Sequence, residues 1–273
     1  MQQLNLGGSG PVLHFSHANG YPPMAYRAML EPFLDKYEVI ASLHRPVWKP
    51  PSEPSSLESW RDFGSDLVQL VGSINEPVIS IGHSMGAAAI VMAAVQKPQL
   101  FTRIVLIEPV LMSPKYFYLL KLLRPIVKRR VPLIRKTLER VDQWASREEA
   151  YEHFRPKSVF KEISDDVLWD YVNHGMNETQ DGRVRLAYSK EWEAHCYLRA
   201  HNIWSLLRKL ELPVLAIRGS DSNTVSEQAW EKWQAMSPQH QYIELEGAGH
   251  LVPFERPGKL VATIGDWIGK NER

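Results

Sequence analysis

Apolar and polar positions alternate along this chain in two rhythms. Short apolar runs bounded by Gly, Pro or polar residues recur at Val12–Ser16, Tyr37–Ser42, Pro77–Ile81, Arg103–Ile107, Pro213–Ile217 and Gln241–Leu245, and these are read as strands. Between them, segments with helical spacing run over Met24–Leu34, Leu57–Val71, Ala87–Gln96, Glu227–Met236 and Gly258–Ile268. Strand and helix alternate, as parallel βαβ crossovers require, so the pattern predicts an α/β fold with a mostly parallel central sheet flanked by helices.

The rhythm breaks between residues 111 and 208, where helical segments rich in charge and aromatics follow one another with no clear strand. An inserted helical cap (111–208) is therefore expected to split one core, made of residues 1–110 and 209–273. Two loops stand out. His17-Ala18-Asn19-Gly20-Tyr21-Pro22-Pro23 follows the first strand as a candidate functional loop, and a proline-rich connection runs from Pro46 to Ser56.

Composition narrows the picture by exclusion. The 273 residues suffice for one large core, and 32 basic against 31 acidic residues give no overall field for nucleic acid or a membrane. The single cysteine, Cys196, excludes an internal disulfide framework and is expected to be a buried thiol. No apolar run is long enough to span a bilayer, and the start lacks the basic and apolar regions of a leader peptide, so a cytoplasmic, non-membrane protein is expected. The interval from Lys115 to Arg140 carries nine basic residues against Glu139 alone. It is read as a solvated basic face, with attraction of an anionic substrate or lipid surface as the sharper alternative. Among the aromatics of the insertion, Tyr116, Phe117, Tyr118, Trp169, Tyr171, Trp192 and Tyr197 divide between packing and an apolar substrate pocket.

Candidate chemistry centres on Gly82-His83-Ser84-Met85-Gly86. A serine hydroxyl is a weak nucleophile unless a neighbouring base activates it, and a tight strand-turn-helix with glycines on either side exposes it to one. Here the motif lies between the strand Pro77–Ile81 and the Ala-rich helix, the context it needs. His14 and His17 form no credible metal pair, because the spacing across a strand end is poor and no carboxylate cluster accompanies them. No metal or cofactor is expected.

The order of His17-Ala18-Asn19-Gly20, Gly82 to Gly86, Ile107-Glu108-Pro109 and Gly249-His250 resembles that of the α/β-hydrolase superfamily over nearly the whole chain, with cap-bearing serine esterases and lipases as the most similar members. The resemblance implies an α/β-hydrolase fold in which Ser84 is the nucleophile and His250 the base. It implies oxyanion donors at the backbone N–H groups of Met85 and Asn19, although Ala18 stands where the family has Gly. The acid is contested. Asp221 lies after the strand that follows the insertion, but only two residues beyond Gly219 where three or four are usual; Glu108 ends the strand after the nucleophile helix, an alternative position, and is preferred. Because the first strand-like run starts at residue 12, the family's opening hairpin is expected to be shortened or missing.

The expected activity is cofactor-independent hydrolysis of carboxylic esters, thioesters or lactones of a small to medium apolar substrate. A C–C bond hydrolase and a non-catalytic ligand-binding homologue are the alternatives. The expected partner is a small ester-like molecule, not nucleic acid; homodimerisation is left open.

Overall fold

The computed structural model describes residues 1–50, 52–113 and 131–270. Its main sheet, among those residues, has seven strands: β1 (Gln2–Gly7), β2 (Val12–Ser16), β3 (Glu38–Leu43), β4 (Val78–His83), β5 (Phe101–Ile107), β9 (Val214–Gly219) and β10 (Gln241–Leu245), in the order β1-β3-β2-β4-β5-β9-β10. Every neighbouring pair is parallel except β1–β3.

The period of two along the strands sorts their side chains into two cores. Leu13, Phe15, Ile79, Ile81, Val105, Ile107, Leu215 and Ile217 face one cluster, while Val12, Val78, Ile104, Leu106, Val214 and Ala216 face the other. Strands apolar on both faces must be covered on both. Helices α1 (Arg27–Leu30) and α10 (Pro257–Lys270) cover the first face; α2 (Trp60–Val71), α3 (Met85–Gln96) and α9 (Glu227–Met236) cover the second.

The chain opens with a single antiparallel strand, β1, whose Leu4 lies opposite Ala41 of β3, in keeping with a shortened opening hairpin; its two apolar positions, Leu4 and Leu6, were too few to stand out among Gln and Asn. Other expectations are corrected. The helix expected over 24–34 is broken into 3-10 turns on either side of α1, because Pro32 has no N–H to continue the ladder and its ring crowds the preceding turn. Helix α2 begins at Trp60 rather than Leu57. Ser59 caps it, accepting from Arg61 N–H while Asp62 accepts from Ser59 N–H.

Between β5 and β9 the described residues hold α4 (Pro132–Glu139), α5 (Arg147–Phe154), α6 (Asp165–His174), α7 (Lys190–Leu198) and α8 (Trp204–Leu207). They also hold strands where none was expected: β6 (Gln143–Trp144), β7 (Met176–Glu178) and β8 (Val184–Leu186) form a small antiparallel sheet. Strands of two or three residues are too short to show a period of two. The insertion has no core of its own among the described residues. Trp144, Phe154 and Tyr171 join the first cluster and Tyr188, Trp192 and Trp204 the second, so its side chains continue both cores. Tyr116, Phe117 and Tyr118, and Lys115, Lys121, Arg124, Lys128, Arg129 and Arg130 of the basic run, lie outside the described residues.

Candidate active site

Strand β4 ends at His83 and α3 begins at Met85, which leaves one residue, Ser84, to make the turn. Its backbone adopts φ 55° and ψ −113°, a conformation most L-residues avoid. Glycines make room for it: a Cβ on Gly86 would lie 2.1 Å from the Ser16 carbonyl oxygen, and one on Gly82 would lie 2.7 Å from the backbone of Ala87. Ser84 N–H donates to Ile107 O at 2.9 Å, tying the turn to the neighbouring strand.

That neighbouring strand carries the next participant. Glu108 follows Ile107 at φ 48°, and it and Ser84 are the two positive-φ non-glycine residues among the described ones. Strain of this kind costs on the order of 1–3 kcal/mol per residue and persists where surrounding contacts over-determine it. The Glu108 side chain is fully buried, yet each oxygen has donors. Oε1 accepts from Gly219 N–H at 2.8 Å; Oε2 accepts from the Ser222 hydroxyl at 2.5 Å and faces His250 Nδ1 at 3.0 Å. A buried carboxylate needs such donors, because burial has stripped it of its hydration.

His250 completes the row. Its Nε2 lies 3.0 Å from Ser84 Oγ, so imidazole bridges hydroxyl and carboxylate. If Nδ1 donates to Glu108, Nε2 is left with a lone pair to take the serine proton. The loop bearing His250 is clamped on both sides. The Glu255 carboxylate accepts from Gly249 N–H, and Arg256 Nη2 donates to Gly247 O at 2.8 Å. Burial raises the Glu255 carboxyl above its ordinary value, partly offset by the Gly249 amide.

Asp221, the other candidate acid, is exposed, and its carboxylate accepts from Ser220 Oγ at 3.0 Å. The structure brings Ser84, His250 and Glu108 together and leaves Asp221 on the cavity wall. Asn19 and Met85 both border the same cavity beside Ser84. The Tyr26 hydroxyl takes the Ala18 N–H at 3.1 Å, which makes Asn19 the next amide along the loop; the Asn19 side chain donates to Glu193 O at 3.2 Å.

The profile of the Alpha/beta hydrolase family matches residues 14–264. The chain belongs to that family. Among its relatives, an uncharacterized hydrolase, YugF, of Bacillus subtilis is 24% identical over 247 residues, covering 89% of this chain and 85% of that one. The 2-(acetamidomethylene)succinate hydrolase of Mesorhizobium japonicum is 24% identical over 262 residues, covering 96% and 89%. Among solved structures, E-2-(acetamidomethylene)succinate hydrolase superimposes with a TM-score of 0.80 at 22% identity, covering 98% of this chain and 94% of that one. An esterase of M. tuberculosis does so with a TM-score of 0.74 at 16% identity, covering 98% and 88%. These likenesses give the fold, and the family makes the protein a hydrolase of the α/β class.

The cavity over Ser84 has a volume of about 690 Å³, within the range of small-molecule sites. Its described walls are largely apolar and aromatic, from Trp60, Val110, Met112, Ile134, Val159 and Tyr197 among others. The carboxylates of Asp221 and Glu255 border it, and among the described residues no Lys or Arg does. Sequence reasoning overlooked Ser222, His83 and Tyr26, whose partners Glu108, His250 and His83 lie far away in the chain, and Glu255, whose partner Gly249 is close by. Among the described residues no helix is long and apolar enough to cross a membrane, and no cluster could hold a metal ion.

Proposed function

We propose that this α/β-hydrolase cleaves carboxylic esters of neutral, largely apolar small molecules by serine acyl transfer. The observation that carries the reading is the unbroken row Ser84 Oγ, His250 and Glu108, with both links at 3.0 Å. In this mechanism His250 Nε2 takes the Ser84 proton as Oγ attacks the carbonyl carbon, and Glu108 holds the tautomer and stabilises the imidazolium. The N–H groups of Met85 and Asn19 receive the developing oxyanion. Protonated His250 then gives its proton to the leaving alcohol, and a water activated by the same imidazole releases the acid from Ser84. Residues 111–208 act as the cap that closes the site, over a core of 1–110 and 209–273, and the enzyme works in the cytoplasm.

The cavity supports a neutral substrate over a dicarboxylate such as the one named for the M. japonicum relative. A dianion would meet Asp221 and Glu255 within a largely apolar described wall, at an energetic cost. Turnover of p-nitrophenyl esters of increasing acyl length tests the reading. Hydrolysis should pass through a maximum at medium chains, and a fluorophosphonate probe should label wild type but not Ser84→Ala. Folded wild-type protein that neither labels nor turns over any ester would sink it.

A further inference from the structure

His83 stands directly before Ser84, is fully buried, and has both ring nitrogens engaged inside the protein. Its Nε2 faces His250 O at 2.9 Å. A carbonyl can only accept, so Nε2 carries the proton and Nδ1 carries a lone pair. The group opposite that lone pair is the Tyr26 hydroxyl, 2.8 Å away, which must therefore donate. The same phenol oxygen accepts the Ala18 N–H at 3.1 Å. Each donor in this chain meets one acceptor, and no other assignment of hydrogens satisfies all four groups.

The endpoints give the chain its meaning. Ala18 immediately precedes Asn19, the expected oxyanion donor. His250 is the expected base, and the bond is made to its own backbone. The imidazole that joins them belongs to the elbow residue adjoining the nucleophile. We propose that His83, braced by Tyr26, is the positioning residue that sets the spacing of the oxyanion loop and the base loop about Ser84. The inference rests on the acyl-transfer reading above.

Substrate contact is a poor alternative role for His83. Although His83 borders the cavity, neither ring nitrogen is free to meet a ligand. Proton transfer is equally poor, since burial holds the imidazole well below its ordinary pKa and keeps it neutral. Packing reinforces the brace: the Tyr26 ring lies 4.6 Å from that of Phe254, four residues past His250, and the His83 ring lies 5.1 Å from that of His250.

Three variants separate positioning from mere folding. Gln places an amide N–H near the former Nε2 and can keep the bond to His250 O, whereas Asn reaches only the Nδ1 side. Per serine titrated with fluorophosphonate, His83→Asn should lower kcat by roughly 10- to 100-fold with KM within about twofold, because small misplacements of reacting groups cost that much. His83→Gln should recover most of that loss. Tyr26→Phe keeps the ring packing but deletes the hydroxyl. It should speed amide exchange at least about tenfold both at Ala18 and across Gly249–Leu251, where a purely local role would alter Ala18 alone. Wild-type kcat per titrated site in His83→Asn, or unchanged exchange across Gly249–Leu251 in Tyr26→Phe, would overturn the proposal. Wild-type protein that neither labels nor turns over would instead refute the hydrolase reading, and the exchange measurement would still decide whether the two loops are tied.

Discussion

The Ser222 hydroxyl donates to Glu108 Oε2 at 2.5 Å, on the same oxygen that faces His250. Ser222 lies three residues beyond Gly219, where members of this family commonly carry their acid. Here that position holds a donor to a carboxylate supplied from the adjacent strand. The Ser222 oxygen accepts in turn from the N–H groups of Thr224 and Val225, at 3.1 and 3.0 Å, so its hydroxyl proton points one way only. Arg218 holds this loop by donating to Val225 O at 2.8 Å. Ser222→Ala should remove one charge-assisted bond from a buried carboxylate, costing about 2 kcal/mol of stability by denaturant unfolding. It should lower kcat by about tenfold as Glu108 loses its orientation. Wild-type stability and turnover in this variant would show the bond to be idle.

Glu108→Gln should lose roughly 10³- to 10⁴-fold in kcat, because a neutral amide neither enforces the imidazole tautomer nor stabilises imidazolium. Asp221→Asn should stay within about twofold of wild type, since the Asp221 carboxylate is exposed and bonds to Ser220. Steady-state kinetics on one p-nitrophenyl ester decides between them, and the reverse ranking would move the acid to Asp221.

Ser84 and His250 were legible in the sequence because their signals are local: a strand, a tight turn and an Ala-rich helix for one, Gly-Ala-Gly-His for the other. The acid was read as Glu108 in preference to Asp221 without a local signal to decide it, for a reason the sheet makes plain. Strands β5 and β9 are neighbours with Ile107 paired to Ile217, so the ends bearing Glu108 and Asp221 abut, and either carboxylate is a plausible reach from His250. What separates them is the direction each side chain takes, set by the φ of 48° at Glu108 and by the Gly219 amide, 111 residues away, that receives its carboxylate. Ser222, Tyr26 and His83 act through partners equally remote in sequence. Strand β1 and the strands of the insertion escaped notice because too few residues carry their alternation.

The backbone of Ser84 offers a separate test. At φ 55° and ψ −113° a glycine is free of the Cβ clash, so Ser84→Gly should relieve strain while removing the nucleophile. Set against the greater chain entropy glycine loses on folding, the net gain should be about 1 kcal/mol, raising Tm by roughly 2–4 °C in a protein of this size. Turnover should vanish and labelling with it. A variant less stable than wild type would mean that the hydroxyl's bond to His250 outweighs the strain.

Four fully buried histidines should make the fold sensitive to acid. Desolvation lowers His14 to about 3 and His17 to about 4, and it holds His44 and His83 well below the ordinary range. In the unfolded chain each titrates near 6.5. These folded-state values are depressed, so their contribution is fully present above pH 6.5. It is lost as pH falls toward the folded values, because the unfolded chain binds protons that the native state refuses. Each histidine then removes about 1.4 kcal/mol per pH unit. His44 and His83 add to this slope in the same direction, because burial holds them neutral as well. Stability should therefore fall steadily as pH drops from 6.5 toward 4. His14→Asn, which can keep the partner at Ser80 Oγ, should flatten the slope of stability against pH by about 1.4 kcal/mol per unit in that window. Equilibrium urea unfolding from pH 7 to 4 measures both, and a stability that stays level down to pH 4 would show that these histidines are charged or solvated in the native protein.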